Sequence, residues 1–339
     1  MKTLRQQASL RLQRQGGLTL IELMIALLLD VMIVMGAMSV MAGNQKAFRL
    51  DEALGNLQET MRFSDYLITS EVREAGFGCL DDVSTVVNTL NSSQTLDYSF
   101  GTPLQGYDST TGYPQAVSAD VISGTDVFVI RSAEGTEVTL ESEMPDSSAV
   151  LKTTVLDPAP IASDDIVLVT DCSSAAVFQV TNYTDANGNI VHNTGNGTPG
   201  NATKSFNHSF AAGSRVMKVH TSVYYLTEDD SGRRVLYRRT NDSGTVSTVP
   251  LLYGLENMQI TYGVDTNTVA GVDSYLEASA VTDWNQVSSV RFELLYASQE
   301  DNLLDGYPTY TFDGAEVTAD DRRLYRRMSF VTALRNRTE

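Results

Sequence analysis

A long apolar run near the N-terminus is the strongest pattern in the chain. Leu18 to Ala42 spans 25 residues, and only Glu22 and Asp30 among them are charged. As an α-helix this run would extend about 37 Å, enough to cross a hydrocarbon core of roughly 30 Å. Four cations precede the run and none lies within it, so the N-terminus should stay cytoplasmic and the rest of the chain should lie outside. They are Lys2, Arg5, Arg11 and Arg14.

Beyond this run the hydrophobic residues still recur at helical spacing, but they now occupy only one face of the predicted helix. The stripe consists of Leu50, Leu54, Leu57, Met61, Ile68 and Val72, with polar residues between them. This pattern predicts an amphipathic helix packed against a sheet. Gly76 and Gly78 should end it. One helix from Leu18 to about Ala75 follows, with an apolar part over 18–43 and an amphipathic part over 44–75.

The remaining chain, residues 76–339, has the pattern of a β-rich globular head. Short runs of alternating or β-branched residues predict eight strands, at 126–131, 165–170, 176–181, 215–226, 235–239, 257–262, 287–297 and 324–334. The stretches 88–119, 182–214 and 264–280 are rich in Asn, Gly, Ser and Thr and predict long surface loops. The fold class is therefore α+β, with a long N-terminal helix packed on a β-rich head.

Charge adds one constraint on partners. The net charge is -18, and removal of the four N-terminal cations would make it -18 - 4 = -22. Such an acidic body should repel nucleic acid. Two basic stretches interrupt it, and we expect their arginines to pair with nearby acids. They contain Arg233, Arg234, Arg238 and Arg239, and Arg322, Arg323, Arg326 and Arg327.

Three interpretations compete for the N-terminus. The apolar run is too long for an ordinary secretory signal peptide, whose apolar region has roughly 7 to 15 residues. A plain single-pass anchor fits the length but leaves Glu22 unexplained, since a carboxylate there costs on the order of 2.5 to 3.5 kcal/mol. The third interpretation is a prepilin leader, residues 1–17, because Gly17-Leu18-Thr19-Leu20-Ile21-Glu22 resembles the class III signal of type IV pilins and pseudopilins.

That resemblance implies cleavage after Gly17 by a membrane prepilin peptidase and N-methylation of the new amine on Leu18. The family usually has Phe at this position, so Leu18 is a departure. Glu22 takes the place of the family's glutamate at the fifth mature position. Within one helix the new amine and Glu22 would lie on the same face, and either this pairing or one between subunits would lower the cost of an unpaired charge. Our hypothesis is that Glu22 pairs with the terminal amine of a neighbouring subunit, which would also set the axial register. Asp30 is not a general feature of major pilins, and two interpretations stay open for it: a protonated or helix-facing acid, or a second polar contact to a neighbouring minor pilin.

Further segments resemble the PilW-like minor pilins of type IV pili. They are 48–50, 57–59, 73–79, 169–172, 177–180, 256–260, 262–265, 322–325 and 333–337. The resemblance covers the helix, the first cysteine region and the C-terminal third. It implies a minor pilin that initiates or caps a type IV pilus. Its partners would be other minor pilins, the major pilin, a tip adhesin, the prepilin peptidase and the inner-membrane assembly platform. The head would lie in the periplasm and later on the pilus.

Two functional alternatives remain open. A J-like minor pseudopilin of type II secretion would carry the same leader. An adhesive or DNA-binding module at the pilus tip is permitted by the long loops, although no pattern of interleaved aromatic and basic residues argues for it.

Whether the two cysteines, Cys79 and Cys172, are free thiols or form a disulfide depends on the compartment in which they lie. In a cytosolic enzyme such a pair would usually be two free thiols, whereas outside the inner membrane it should form one disulfide. Because the leader places the head outside, we predict the disulfide.

No motif points to catalysis or a cofactor. The sequence has no Gly-rich phosphate loop, nucleophile elbow or HExxH motif, and we predict neither an enzyme nor a bound cofactor or metal. His192, His208 and His220 have no zinc-like spacing and should be surface or strand residues. Asp185 to Asn189 resembles half of a calcium loop, but the twelfth position is Asn196, so a turn is favoured.

Overall fold

The computed structural model describes residues 19–76, 86–146, 148–195, 197–267 and 271–334. The chain forms two compact units, of which the first ends at Glu52 and the second begins at Ala53. One α-helix and seventeen β-strands make up the regular structure of the described residues, together with two 3₁₀ turns at Ala278–Ala280 and Trp284–Gln286.

The helix, α1, runs from Leu20 to Arg73, within two residues of the predicted bounds at each end. In the first unit its side chains are exposed, except that of Leu50, which is half-buried. In the second unit its buried residues are Ala53, Leu57, Ser64, Ile68 and Val72, which recur at helical spacing. The helix is followed by Gly76, which takes a left-handed φ of 108° that a residue with a side chain rarely adopts.

The strands in chain order are β1 (Val86–Asn88), β2 (Leu104–Tyr107), β3 (Val127–Thr139), β4 (Val150–Lys152), β5 (Ile166–Thr170), β6 (Ala175–Gln179), β7 (Asn182–Thr184), β8 (Asn189–Val191), β9 (Arg215–Glu228), β10 (Arg234–Asp242), β11 (Thr245–Tyr253), β12 (Leu255–Val264), β13 (Ser274–Leu276), β14 (Val287–Ala297), β15 (Thr309–Phe312), β16 (Ala315–Thr318) and β17 (Tyr325–Ala333). Each of the eight predicted strands overlaps one of them, so the α+β prediction is confirmed.

Strand β9 is the centre of the larger, eight-stranded sheet. Along one edge it pairs with β3, and along the other it pairs with β5 at Arg215–Lys218 and with β10 at His220–Glu228. The sheet continues through β6 to β1 on one side and ends at β11 on the other, while β2 extends it beyond β3. A second sheet has the order β13-β12-β14-β17. Two small sheets, β15-β16 and β4-β8-β7, complete the architecture of the described chain.

Stacked aromatic rings join the two main sheets. Tyr224 of β9 stacks on Phe128 of β3 at a centroid distance of 4.5 Å and an interplanar angle of 5°. Phe128 meets Phe292 of β14 edge-on at 5.4 Å, and Phe292 stacks on Phe330 of β17 at 5.3 Å. Offset and edge-on contacts of this kind add to the free energy gained by burying the rings.

The prediction of long surface loops is partly wrong. Short strands lie in all three stretches, and Phe100, Phe206 and Phe210 within them are at most 1% exposed. Phe206 and Phe210 pack with β5 and β6 residues in one core cluster. A few large apolar side chains in an otherwise polar stretch are enough to bury it against the sheet, because each contributes roughly 1.5 to 3 kcal/mol.

A buried arginine fixes the stretch before β2. Arg131 of β3 is fully buried and donates to the carbonyls of Thr102 at 2.7 Å and Leu96 at 2.9 Å. Burial lowers the pKa of its guanidinium to about 10, so it stays charged at neutral pH. Arg239 of β10 adds a two-pronged contact to Asp97 at 2.5 and 3.0 Å. The sequence indicated neither the contacts of Arg131 nor that Asp97 is the acid that pairs with Arg239.

The expectation that His192 is a surface or strand residue is wrong. The residue is fully buried after β8, stacked on Phe206 at 4.4 Å and tilted against Phe178 at 4.9 Å. Neither ring nitrogen has a hydrogen-bond partner within the described chain. Burial lowers the pKa of His192 to about 4, with a smaller contribution from Lys204. The imidazole is therefore neutral in the folded protein at neutral pH.

We predict that His192 makes the fold less stable in mild acid. Since the unfolded chain binds a proton near pH 6.5 and the folded chain only near pH 4, stability is lost as the pH falls through this window. At pH 5 the loss should be about 2 kcal/mol. His192→Phe should remove it, measured as the denaturant midpoint of the purified chain at pH 7.5 and pH 5.

Wild type and His192→Phe must be compared because Asp126 changes the stability of the fold with pH in the opposite direction to His192. Burial raises the pKa of Asp126 to about 7, so its protonation stabilises the fold as the pH falls from about 7. Both proteins share this contribution. Equal changes in midpoint for wild type and His192→Phe would contradict the assignment to His192.

Candidate assembly site

Glu22 forms a reciprocal cap with Thr19 at the start of α1. Its Oε2 accepts hydrogen bonds from the Thr19 N–H and the Thr19 hydroxyl, both at 3.0 Å. The Thr19 Oγ1 accepts in turn from the Glu22 N–H at 3.3 Å. A Thr and a Glu three positions apart, each bonded to the other's backbone, form a capping box that satisfies free donors of the first turn. The Thr-x-x-Glu signal was present in the sequence, but its interpretation there rested on Glu22 alone.

This cap changes the physical account of Glu22. The carboxylate already has two donors from its own chain, so part of the cost of placing it in an apolar run is offset locally. Gly17 and Leu18 lie outside the described residues. Cleavage between them, and pairing of Glu22 with a terminal amine, remain predictions.

The apolar part of α1 has the length and composition of a membrane span. Its most apolar 18-residue window has a mean hydropathy of 2.4, and none of that window is buried. Asp30 lies within it and is exposed, and its carboxylate makes no hydrogen bond or ion pair with any other described residue. The two carboxylates of this segment therefore differ: Glu22 has local donors and Asp30 has none.

Two polar contacts hold the later part of α1 to the sheets of the second unit. Glu71 accepts from the Tyr224 hydroxyl at 2.5 Å and from Arg238 Nη1 at 3.1 Å. Ser64 lies two turns before Glu71 on the same face of the helix, is fully buried, and shares a short hydrogen bond with the Tyr296 hydroxyl. Burial and the Glu71 carboxylate raise the pKa of Tyr224, and burial raises that of Tyr296, so both stay protonated donors.

The basic stretches are paired with acids, as predicted. Within the described residues the ion pairs are Arg233–Asp229 at 2.8 Å, Arg234–Glu256 at 3.7 Å, Arg238–Glu71 at 3.1 Å, Arg239–Asp97 at 2.5 Å, Arg323–Asp321 at 2.5 Å, Arg323–Glu256 at 2.6 Å and Arg327–Glu293 at 3.2 Å. Six of the eight arginines are therefore neutralised within the head. Their charges tie strands, the helix and connecting segments together.

No cluster of three or more His, Cys, Asp or Glu side chains that could hold a metal ion occurs in the part of the chain that the structure describes.

The segment from Asp185 to Gly188 is the turn between β7 and β8. Gly188 has a left-handed φ of 63°, and its N–H donates to Thr184 O at 3.0 Å. The favoured turn interpretation is confirmed. His208 pairs with Asp171 at 2.8 Å.

The structure describes one of the two cysteines of the predicted disulfide. Cys79 lies outside the described residues. Cys172 follows β5 with a positive φ of 71°, and its N–H donates to the Thr170 hydroxyl at 3.0 Å. The Cys79–Cys172 pairing remains a prediction.

One long N-terminal apolar helix followed by a β-rich globular region is a pilin-like α+β fold. In line with this, the family model PilW, described as Type IV Pilus-assembly protein W, matches residues 223–336. The match covers about a third of the chain, from β9 to just past β17, and supports a PilW-like type IV pilus assignment. It includes the motifs at 256–260, 262–265 and 322–325 but not those of the helix. Neither the curated proteins nor the solved structures compared with the chain gave a match.

We predict that Glu71 is a stabilising residue of the helix–sheet contact. Glu71→Ala should lower the free energy of unfolding by about 1 to 3 kcal/mol, because the buried Tyr224 hydroxyl loses its acceptor and Arg238 its counter-charge. Glu71→Gln, which keeps an acceptor for Tyr224, should cost less. The measurement is denaturant unfolding of the purified chain.

The matched control is Glu74→Ala, an exposed glutamate just past the end of the same helix. It should change stability by no more than about 0.5 kcal/mol. If Glu71→Ala and Glu74→Ala behaved alike, the proposed importance of the Glu71–Tyr224–Arg238 contact would be wrong.

Proposed function

We propose that this chain is a minor pilin that initiates assembly of a type IV pilus or caps it. The observation that carries the proposal is the combination of an exposed apolar N-terminal helix with a head whose C-terminal third matches the PilW family. An apolar helix exposed on every side needs either lipid or other helices around it. A subunit that passes from a membrane into a helical filament core meets both conditions.

In this proposal the leader is removed after Gly17 and the new amine on Leu18 is methylated. Before assembly the chain crosses the bacterial inner membrane once, with its head in the periplasm, as the four N-terminal cations favour. Afterwards it resides in the pilus. Its partners are other minor pilins, the major pilin, a tip adhesin, the prepilin peptidase and the inner-membrane assembly platform.

Glu22 is proposed to serve assembly through its charge. Cleavage after Gly17 would create a cation four residues away, on the same face of the helix. Thr19 satisfies part of the Glu22 carboxylate in the single chain, which leaves the second oxygen, Oε1, to accept from the terminal amine of a neighbouring subunit. The cap and the intersubunit pair then use different oxygens of one side chain.

Two variants separate the charge of Glu22 from its capping. Glu22→Gln keeps a capping-box residue but loses the charge, whereas Thr19→Val loses the hydroxyl of the cap and keeps the charge. We expect Glu22→Gln to reduce the amount of chain in sheared pili at least about tenfold. The variant leaves the terminal amine of the neighbouring subunit without its counter-charge, and an unpaired charge within the membrane costs more than about 1.4 kcal/mol. Thr19→Val should stay within about twofold of wild type.

The readout is the ratio of chain in the sheared pilus fraction to chain in the membrane fraction, by immunoblot. The membrane level and leader removal serve as controls for insertion and processing. The reverse order of the two variants would assign Glu22 to helix capping and contradict the intersubunit pairing.

Deletion of the chain tests the proposed function itself. We expect loss or strong reduction of surface pili, because initiation or capping precedes elongation, with secretion of exoproteins unchanged. The measurements are pilus counts by electron microscopy and the protein content of the culture supernatant. Normal pili with lost secretion would assign the chain to a type II secretion pseudopilus instead.

A further inference from the structure

Asp30 lies at the midpoint of the apolar run. Twelve residues separate it from Leu18 and twelve from Ala42 (30 - 18 and 42 - 30). Since α1 is continuous from Leu20 to beyond Ala42, the carboxylate lies about 15 Å from the start of the helix and about 18 Å from Ala42 at 1.5 Å per residue. In a hydrocarbon core of roughly 30 Å this is the centre. The short Asp side chain cannot reach either interface, unlike a long Lys or Arg near a helix end.

The chain itself supplies nothing that neutralises Asp30. The carboxylate makes no hydrogen bond or ion pair with any described residue. No Lys, Arg or His occurs from residue 15 to residue 45. Once the leader is removed, as the proposed function has it, the nearest cations are the terminal amine of Leu18, twelve residues away, and Lys46, sixteen residues away. At 1.5 Å per residue these distances are about 18 Å and about 24 Å. A charged Asp at this depth costs on the order of 2.5 to 3.5 kcal/mol unless another molecule compensates it.

The helix face on one side of Asp30 carries small side chains. At 100° per residue, Ala26 and Ala37 lie about 40° and about 20° from Asp30 in one direction, whereas Leu23 and Val34 lie about 20° and about 40° from it in the other. Ala26 and Ala37 are exposed. Small residues at a membrane helix surface let two backbones come close, which a side chain as short as Asp needs in order to meet a partner.

We propose that Asp30 is the acidic half of an intersubunit ion pair within the apolar layer. Its partner is a membrane helix of a different pilus subunit that carries a Lys or Arg about 12 Å deeper along the axis than the level of Glu22. The inference rests on the proposed function, since it requires assembly with other membrane subunits. It adds a contact between named chemical groups that selects one neighbour by charge.

A second copy of this chain does not fit the same position. The apolar run of a second copy contains no Lys, Arg or His, so it offers Asp30 no cationic side chain at any axial offset between the two runs. In register, it would place a second carboxylate at the same depth, and like charges in a medium of low dielectric repel strongly. A single acid at this depth therefore favours a neighbouring subunit with a cationic helix and disfavours a second copy of this chain.

The test uses the full-length chain in its own host with Asp30→Glu, Asp30→Asn and Asp30→Leu. The matched control is Met32→Leu, an apolar exchange about 160° away around the same helix. The ratio of chain in sheared pili to chain in the membrane is measured for each. We expect Asp30→Glu and Met32→Leu to stay within about threefold of wild type. Asp30→Asn and Asp30→Leu should fall at least about tenfold, the equivalent of about 1.4 kcal/mol.

Asp30→Leu makes the helix more apolar, so a loss of incorporation at an unchanged membrane level cannot come from failed insertion. Incorporation of Asp30→Leu like wild type would overturn any partner contact. Incorporation of Asp30→Asn like wild type would overturn the ion pair, because a neutral hydrogen bond or a shared proton would then suffice.

A photo-crosslinking amino acid at Ala26 identifies the neighbour. The crosslinked helix should contain a Lys or Arg at the matching depth, and exchange of that residue to Asp should rescue Asp30→Lys. A crosslinked helix without a cation, or no rescue, contradicts the proposal. A wild-type chain that never enters sheared pili contradicts the proposed function, whereas an incorporated wild type with an unaffected Asp30→Asn contradicts only the ion pair.

Discussion

The buried side chain of Tyr224 connects three elements of the second unit: the later part of α1, the eight-stranded sheet and the sheet that contains β14. Its ring stacks on Phe128, which meets Phe292 of the other sheet, and its hydroxyl donates to Glu71 of the helix. A buried hydroxyl needs an acceptor, and the helix supplies it at a position that also pairs with Arg238. The contact therefore sets both the distance and the axial position of the later part of α1 against the sheet. Leu57, Ile68 and Val72 add apolar burial but little directional information, because dispersion contacts tolerate sliding more easily than a hydrogen bond does.

The large elements were predictable because each has a strong period of its own. The helix has a long apolar run with only two charged residues, followed by a single apolar stripe, and the eight predicted strands have β-branched or alternating runs of at least five residues. Strands of three or four residues, such as β4 and β7, have too short a pattern to be distinguished from a turn. Their pairing comes from tertiary contacts. The edge strand β11 was missed because seven of its nine residues are exposed, and they include residues from both faces, so the sequence shows no alternation of buried and exposed positions.

Buried polar groups were the least predictable features. Arg131 and His192 lie in sequence that is otherwise typical of a strand and a polar loop, and nothing local indicates that distant carbonyls or aromatic rings surround them. The expected pairing of the basic stretches was correct in kind, but the partners Glu71, Asp97 and Glu293 are 34 to 167 residues away along the chain. For the candidate assembly site, the sequence located both carboxylates. It missed the role of Thr19, although a capping box is a short-range signal.

The two carboxylates of the apolar segment have different energetic consequences. Glu22 lies at the first turn, where free N–H groups and the positive end of the helix dipole favour an anion, and Thr19 donates to it. A single chain can therefore hold Glu22 in the membrane at reduced cost before any neighbour arrives. Asp30 lies mid-helix, where all backbone N–H groups are bonded within the helix and the dipole has no free end. In the proposed ion pair its compensation comes from a neighbouring subunit, and only while that subunit is present. An acid capped at the end of a helix is compatible with many neighbours, whereas an uncapped acid at the centre distinguishes between them.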